Sequence, residues 1–284
     1  MQRFFYCLLA ITFLQSCEDV IEVDLPMESP RISADAIIRL DTSASESTAQ
    51  IKLNLTSSFF EDLDPVSNAE VIIRNLDFIS DDVLESNDII LEEVSPGIYE
   101  ATRNTSFFTS GQLALFINFN SERYYATTSF VPTSPIESLV QGEETLFTGD
   151  ETEIIISFTD DGTRDDFYIF DFGFNEYLVT EDEFYQGQRF EFSYFYDDVE
   201  PEQEMTISIL GADESFYNYM NQIIVQAGGD QGPFQTPAAT VRGNIFNVTG
   251  VENPEDLESI GQTNSFPLGY FAVVQEYKNT ITIE

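Results

Sequence analysis

Carboxylates are the side chains dense enough in this sequence to suggest chemistry. There are 51 Asp and Glu against 11 Lys and Arg, a formal charge of −40, with no His and no Trp. Glycoside hydrolysis needs two carboxyl groups about 5–10 Å apart, one of them with a raised pKa. Asp197-Asp198, Glu181-Asp182-Glu183 and Glu143-Glu144 supply oxygens, but neighbours on a strand point to opposite faces. Composition alone makes such pairs unavoidable, so they read as solvated surface. The densest local cluster is Thr159-Asp160-Asp161-Gly162-Thr163-Arg164-Asp165-Asp166. Asp160, Asp161, Asp165 and Asp166 offer the hard oxygen ligands that calcium takes, typically about six to eight of them. The fixed order of an EF-hand loop is missing, and a strand-to-strand turn in which Asp and Gly accept left-handed geometry explains the same residues and is the preferred reading. Calcium is the one metal the sequence suggests; no other cofactor is expected. Without His there is no Ser-His-Asp or Cys-His base and no His-liganded zinc. So negative a chain repels phosphate backbones, which excludes nucleic acid as a partner. No GxGxxG, GxxxxGK[ST] or CxxC motif occurs. The expectation is a protein that is not an enzyme.

Aromatic residues offer binding instead. Tyr168, Phe170, Phe172 and Phe174 alternate within 167–179, and Phe190, Phe192, Tyr194 and Tyr196 alternate within 189–198. Phe195 interrupts the second alternation and puts a ring on the outward face. Phe192, Tyr194, Phe195 and Tyr196 are therefore the candidate binding surface, weighed against core packing, which produces the same period and takes the larger share. Arg242 most simply neutralises a partly buried acid.

Cys17 is the remaining reactive group. Arg3, an apolar run from Phe4 to Leu14, and then Leu14-Gln15-Ser16-Cys17 form a secretory leader over 1–16, followed by a sequence that resembles a bacterial lipobox, in which the Cys thiol is lipidated. The apolar run is too short to span a bilayer, which takes about 20 residues. Palmitate-type acylation of Cys17 would supply the membrane anchor instead. Cys7 leaves with the leader, so no disulfide is expected. Loss of Arg3 leaves a body of formal charge −41, which must stand away from an anionic headgroup layer.

These groups are positioned by strands. Residues 17–30 read as a lipidated tether. Ile32, Ala34, Ala36, Ile38 and Leu40 then alternate with polar partners, as do Ile51, Leu53 and Leu55, and further runs cover 69–75, 97–103, 112–120 and 123–131. Ser95-Pro96-Gly97 and Asn120-Ser121-Glu122 are turns. Seven or so strands without a helical period predict a β-sandwich of immunoglobulin or transthyretin type over 31–133. Pro132-Thr133-Ser134-Pro135 reads as a stiff polar break. A larger antiparallel β-domain over 136–284 follows, with strands at 153–160, 167–179, 189–198 and 204–210 and two more near the end. One helix is predicted over 213–229: Asp213 caps it, Phe216, Tyr219, Met220, Ile223 and Ile224 recur at helical spacing, and Gly228-Gly229 stops it.

Together these segments resemble the Bacteroidota lipoproteins grouped as domain of unknown function 4249. The resemblance rests on Cys17-Glu18-Asp19-Val20 through Pro26, the Pro96-Gly97-Ile98-Tyr99 turn, the aromatic helix, Gly232-Pro233-Phe234, Gly243-Asn244-Ile245 and Leu268-Gly269-Tyr270-Phe271. Val251–Ile260 looks like an insertion. Glu18-Asp19 resembles the acidic signal that sends such lipoproteins to the cell surface. The resemblance brings no catalytic residues with it. It implies an outer-membrane lipoprotein encoded near TonB-dependent receptors. The expected function is an accessory or ligand-capture component of a TonB-dependent β-barrel transporter, exposed on the cell surface, with an incoming nutrient as its ligand. A free-standing carbohydrate- or peptide-binding adhesin is the alternative, and an acid-pair hydrolase the third reading.

Overall fold

The computed structural model describes residues 29–57, 63–78, 86–146, 149–227, 240–252 and 266–284. The leader, Cys17, Glu18, Asp19, the pair Gly228 and Gly229, Gly232 to Phe234, and all but the first two residues of the Val251–Ile260 segment lie outside them.

The chain is mainly β. Alternation builds β1 (Ile32–Leu40), β2 (Glu46–Leu55), the short β3 (Asp64–Pro65), β4 (Glu70–Asn75), β5 (Asp88–Ser95), β6 (Ile98–Asn104), β7 (Gln112–Phe119) and β8 (Glu122–Val131). In β1, Ile32, Ala34, Ala36, Ile38 and Leu40 are all buried, as a half-buried strand of period two requires. Both predicted turns form. Asn120 and Ser121 take φ of 47° and 66°, and Phe119 pairs with Glu122. Two consecutive left-handed residues match the right-handed twist of a tight hairpin. Besides β3 and β5, which the predicted runs do not cover, a single helical turn, α1 (Thr105–Thr109), inserts Phe107 and Phe108 into the core. Five residues are too few to display a helical period. Asn75, fully buried, holds this turn by donating from Nδ2 to the Phe107 and Ser110 carbonyls at 2.8 and 2.6 Å.

The second half forms β9 (Ile136–Gln141), β10 (Thr152–Thr159), β11 (Phe167–Asp171), β12 (Tyr177–Glu181), β13 (Arg189–Tyr196), β14 (Glu204–Ala212), helix α2 (Glu214–Ala227), β15 (Phe246–Asn247) and β16 (Leu268–Thr282). Asp213 caps α2, accepting from the Phe216 amide at 2.7 Å, and Phe216 and Met220 face inward. The run 167–179 is two strands rather than one. Gly173, Phe174 and Asn175 take φ of 78°, 53° and 64°, and this left-handed turn folds β12 back on β11. Phe174 consequently leaves the buried row of Tyr168, Phe170 and Phe172 and is 62% exposed.

The last strand changes how the halves relate. The first half of β16 pairs in parallel with β1, from Ser33↔Leu268 to Leu40↔Gln275, and meets β8 at Val273↔Phe130 and Val274↔Val131. It closes an eight-stranded ring, β16-β1-β2-β6-β5-β4-β7-β8, around Ile38, Leu53, Ile73, Leu115 and Phe271. The ring is packed with side chains. The second half of β16 pairs antiparallel with β14. Residues 268–275 thus belong to the same ring as 31–133, where a division by sequence order assigns them to 136–284. Alternate residues of β16 serve different layers. Phe271 and Val273 point into the ring, while Tyr270, Ala272 and Val274 pack under α2. Thr133 and Ser134 of the Pro132–Pro135 break are buried against this junction, and the Thr133 amide donates to Gln275 Oε1 at 3.0 Å.

Asn244 fills the gap where β8 and β16 diverge. Its Oδ1 accepts from the Phe271 amide at 2.8 Å, and its Nδ2 donates to the Phe271 carbonyl at 2.8 Å and the Thr127 carbonyl at 3.3 Å. Asn244→Ala leaves these backbone groups without a partner, and we expect a loss of about 2–3 kcal/mol in chemical denaturation. Half-buried Asn279→Ala, with one long bond, should cost far less.

Candidate functional site

The acidic turn is a clasp. Asp160 and Asp166 are buried on either side of the Tyr168 hydroxyl, which donates to both. Asp160 Oδ2 also accepts from the Gly187 amide at 2.6 Å, and Arg164 Nη2 donates to Asp166 at 2.8 Å. Asp161 turns outward to accept from the Thr163 amide and hydroxyl at 3.2 and 2.7 Å, and Asp165 accepts from Gln186 Nε2 at 3.0 Å. Asp160 and Asp165 tie the β10–β11 turn to Gly187 and Gln186, while the Asp161 and Asp166 carboxylates bond within 161–168. Among the described residues no group of three or more Asp, Glu, Cys or His could hold a metal ion. The calcium expectation for Asp160, Asp161, Asp165 and Asp166 therefore gives way to the turn.

Burial pushes the Asp166 carboxyl above its ordinary range, with Arg164 opposing, whereas the Thr163 hydroxyl and amide hold Asp161 below it. The two respond oppositely to acid. With a folded pKa above the unfolded one, Asp166 binds its proton more readily in the native state, so its contribution to stability grows as pH falls from the raised value towards 3.8. Asp161 loses its contribution over the acid range below its ordinary value. Wild type should therefore gain on Asp166→Asn as pH falls from 7, checked by urea unfolding across pH 3–7 in paired buffers.

The acids named from the sequence differ in burial. Glu181 and Glu183 are exposed while Asp182 between them is buried, accepting from the Asp166 amide at 3.0 Å. Asp197, Asp198, Glu143 and Glu144 are exposed. Three acids that the sequence did not single out are buried: Glu276, paired with Arg39 and Lys278, and Glu151 and Glu153. Glu151 accepts from the Leu146 and Gly149 amides at 3.2 and 3.0 Å, and Glu153 from the Glu144 amide at 3.0 Å. They stabilise the loop before β10. The signal available was their position at the start of a strongly apolar strand.

The aromatic stripes meet each other. The small sheet β13-β10-β9 lies over β11, β14 and the end of β16, and the two stripes fill the space between. Tyr194 stacks on Phe172 with centroids 3.6 Å apart, Phe192 meets Phe170 edge-on at 5.0 Å, and Phe190 stacks on Tyr185 at 4.2 Å. Tyr196 is buried and donates to the Phe172 carbonyl at 2.9 Å. Of the four candidate residues, Phe192, Tyr194 and Tyr196 thus turn inward and Phe195 alone faces out, so they do not form one outer platform. Yet Phe190, Phe192 and Tyr194 remain only half-buried. The reason is topological. β13 is the edge of its sheet, and β12, the edge of the opposite sheet, is five residues long. The sandwich is open along this side. Leu178, paired with Phe170, is 38% exposed there, and Phe174 and Phe184 stand at the two ends of β12, 62% and 85% exposed. Tyr194 donates to Glu176 across the opening; burial and that carboxylate raise its phenol far above the ordinary value, and burial lifts Tyr185 to about 12.

Arg242 has a different partner from the one expected. Its guanidinium lies 3.8 Å from the centroid of Phe266, and that of Arg31 lies 4.7 Å from the same ring. Cation–π contact, rather than a neutralised acid, is what the described residues give it.

The family model described as "Domain of unknown function (DUF4249)" matches residues 18–252. The match ends before β16, so the Leu268–Phe271 segment lies beyond it. No curated protein matches the chain. Among solved structures it is similar to the FN1–FN3 domains of chicken CNTN1, at 12% identity and a TM-score of 0.25, over 66% of this chain and 62% of that one. It is also similar to a 1.5-MDa bacterial ice-binding adhesin (8%, TM-score 0.21, 90% and 65%) and to the chicken interferon gamma receptor alpha chain (12%, TM-score 0.17, 65% and 89%). The chain spans less than two thirds of the first two.

Proposed function

Because this chain belongs to the family described as domain of unknown function DUF4249, we propose that it is a non-catalytic lipoprotein, anchored in the outer membrane through Cys17 and displayed at the cell surface. There it serves a TonB-dependent β-barrel transporter as an accessory or ligand-capture component. The observation that carries the reading is the open side of the second sandwich, where half-buried rings lie between two sheet edges. An exposed aromatic surface of this kind suits contact with a large partner. Acyl attachment holds the body in the plane of the membrane and raises its effective concentration beside that partner. The negative body attracts cationic ligands and repels anionic ones, an effect that fades as salt rises.

The test is a gentle detergent extraction of the full, lipidated chain carrying a C-terminal tag, with mass spectrometry of what accompanies it. A stoichiometric TonB-dependent barrel supports the accessory role. The protein alone, under conditions that keep other outer-membrane complexes intact, moves the reading to a free-standing adhesin.

A further inference from the structure

Two edges of the second sandwich differ in how they are finished. β9, one edge of the small sheet, is met by β16: Asn279 Nδ2 donates to the Ile136 carbonyl at 3.3 Å, and the Glu284 amide donates to Gln141 Oε1 at 2.8 Å. β13, the other edge, pairs with β10 alone across all eight residues, and no other described strand takes its outer side. β12, across the opening, pairs with β11 alone. An edge strand presents a row of backbone donors and acceptors ready to pair with another chain. Here the row runs beside exposed apolar groups, Leu178 and Phe184, which a covered edge would hide.

Charge selects the occupant. Glu176, Glu181, Glu183 and Glu191 border the opening, and the one Arg on β13, Arg189, is already paired with Glu191 and Glu137 at 2.8 and 3.5 Å. A second copy of this chain would bring another strongly negative body to an edge already bordered by acids. We infer that β13 takes an extended, basic segment of a partner protein as an added antiparallel or parallel strand. Its apolar side chains would lie towards Leu178 and Phe192, and its Lys or Arg would face the bordering glutamates. Main-chain pairing supplies affinity in such strand addition, and alternate side chains supply the choice of partner. This deepens the accessory reading and rests on it for the identity of the partner, a barrel loop or terminus; the docking chemistry itself does not.

The experiment uses the full lipidated chain and its Leu178→Lys/Phe184→Lys variant, both positions being exposed, with circular dichroism confirming an unchanged fold. Purified in detergent, each is mixed with an alternating Lys-Val decapeptide or its Glu-Val counterpart, and amide exchange is followed over 189–196. The Lys-Val peptide should slow exchange in β13 by about tenfold or more, the effect should shrink as salt rises, and the variant should lose it. Unchanged β13 exchange with Lys-Val, or equal protection by Glu-Val, overturns the inference. Self-association of the wild type that the double variant abolishes also overturns it, since the occupant is then a second copy. The pull-down separates the two readings. A barrel that accompanies wild type and variant alike leaves the accessory role standing and removes this docking site. Protection by Lys-Val with no barrel in the pull-down keeps the strand site and removes the accessory role.

Discussion

Gly269→Ala should unfold this protein at a markedly lower denaturant concentration, with a loss of about 3–5 kcal/mol. Two costs coincide. Gly269 takes φ of +98°, where a Cβ is strained, and a Cβ built there would lie 1.8 Å from the Ala34 carbonyl oxygen and 2.6 Å from its carbon. Those are backbone atoms of β1, so no side chain can swing aside. The strands would have to separate at the point where β16 enters the ring. Gly243 sits on the other side of the same peptide, its own Cβ position 1.6 Å from the Gly269 carbonyl oxygen. The 240–245 segment, β16 and β1 therefore approach one another through two glycines in succession. Gly149 is the control: its φ is +86°, yet nothing lies within 4 Å of its Cβ position. Gly149→Ala carries the backbone strain alone, about 1–2 kcal/mol. The midpoint difference between the two variants, at unchanged m-value, reads the steric part. Because the Gly243 Cβ position abuts the Gly269 carbonyl, the two sites are coupled, and the double alanine variant should depart from the sum of the singles.

That prediction also marks where the sequence is informative and where it is silent. The alternation of Ile32 to Leu40 fixes which side chains of β1 are buried, because a period of two leaves one solution for a half-buried strand. Asp213 and the 216, 219, 220 spacing locate α2 to within a residue or two for the same kind of reason. Both are local signals. The closure of the ring by β16 is not local: Leu268 pairs with Ser33 across more than two hundred residues, and nothing in either segment names the other. The glycines at 243 and 269 were visible as part of a motif, but the close approach that requires them exists only after β1, β16 and the 240–245 segment are assembled. The misreading of 167–179 has a different origin. Phe172, Phe174 and Tyr177 look like a continuing strand to a hydrophobicity pattern, and Gly173 and Asn175 between them were the turn signal. For the aromatic residues, alternation marked the two stripes and left open whether they pack inward or face out. Phe192 and Tyr194 point inward, and they are accessible because the opposing edge is short, a property of sheet order rather than of the sequence around them.

Cys17→Ser should release the protein from the membrane fraction almost completely, and this is the largest functional effect we expect. Each buried CH₂ contributes about 0.8 kcal/mol, so a single fourteen-carbon chain binds only marginally and two or three chains bind lastingly. Among the described residues no helix is long and apolar enough to cross a membrane, and a body that would carry −41 under the proposed processing is repelled by anionic headgroups. The released protein should therefore stay soluble at low and high salt alike, which separates loss of an acyl anchor from loss of an electrostatic one. Fractionation with and without 1 M salt, with acyl labelling of the wild type, checks this. Retention of Cys17→Ser in the membrane would mean that the anchor lies elsewhere, in a β-barrel partner that holds the body or in a different segment. Glu18→Ala/Asp19→Ala isolates the next step. It leaves the thiol intact, so acylation and membrane fractionation should persist while protease added to whole cells loses access to the body. Degradation of the double variant to the same extent as wild type would show that these two acids do not direct the chain to the surface. The strand edge at β13 needs that outward display only if its basic partner segment is itself extracellular, so the same protease experiment fixes on which side of the membrane the partner's extended segment must be sought.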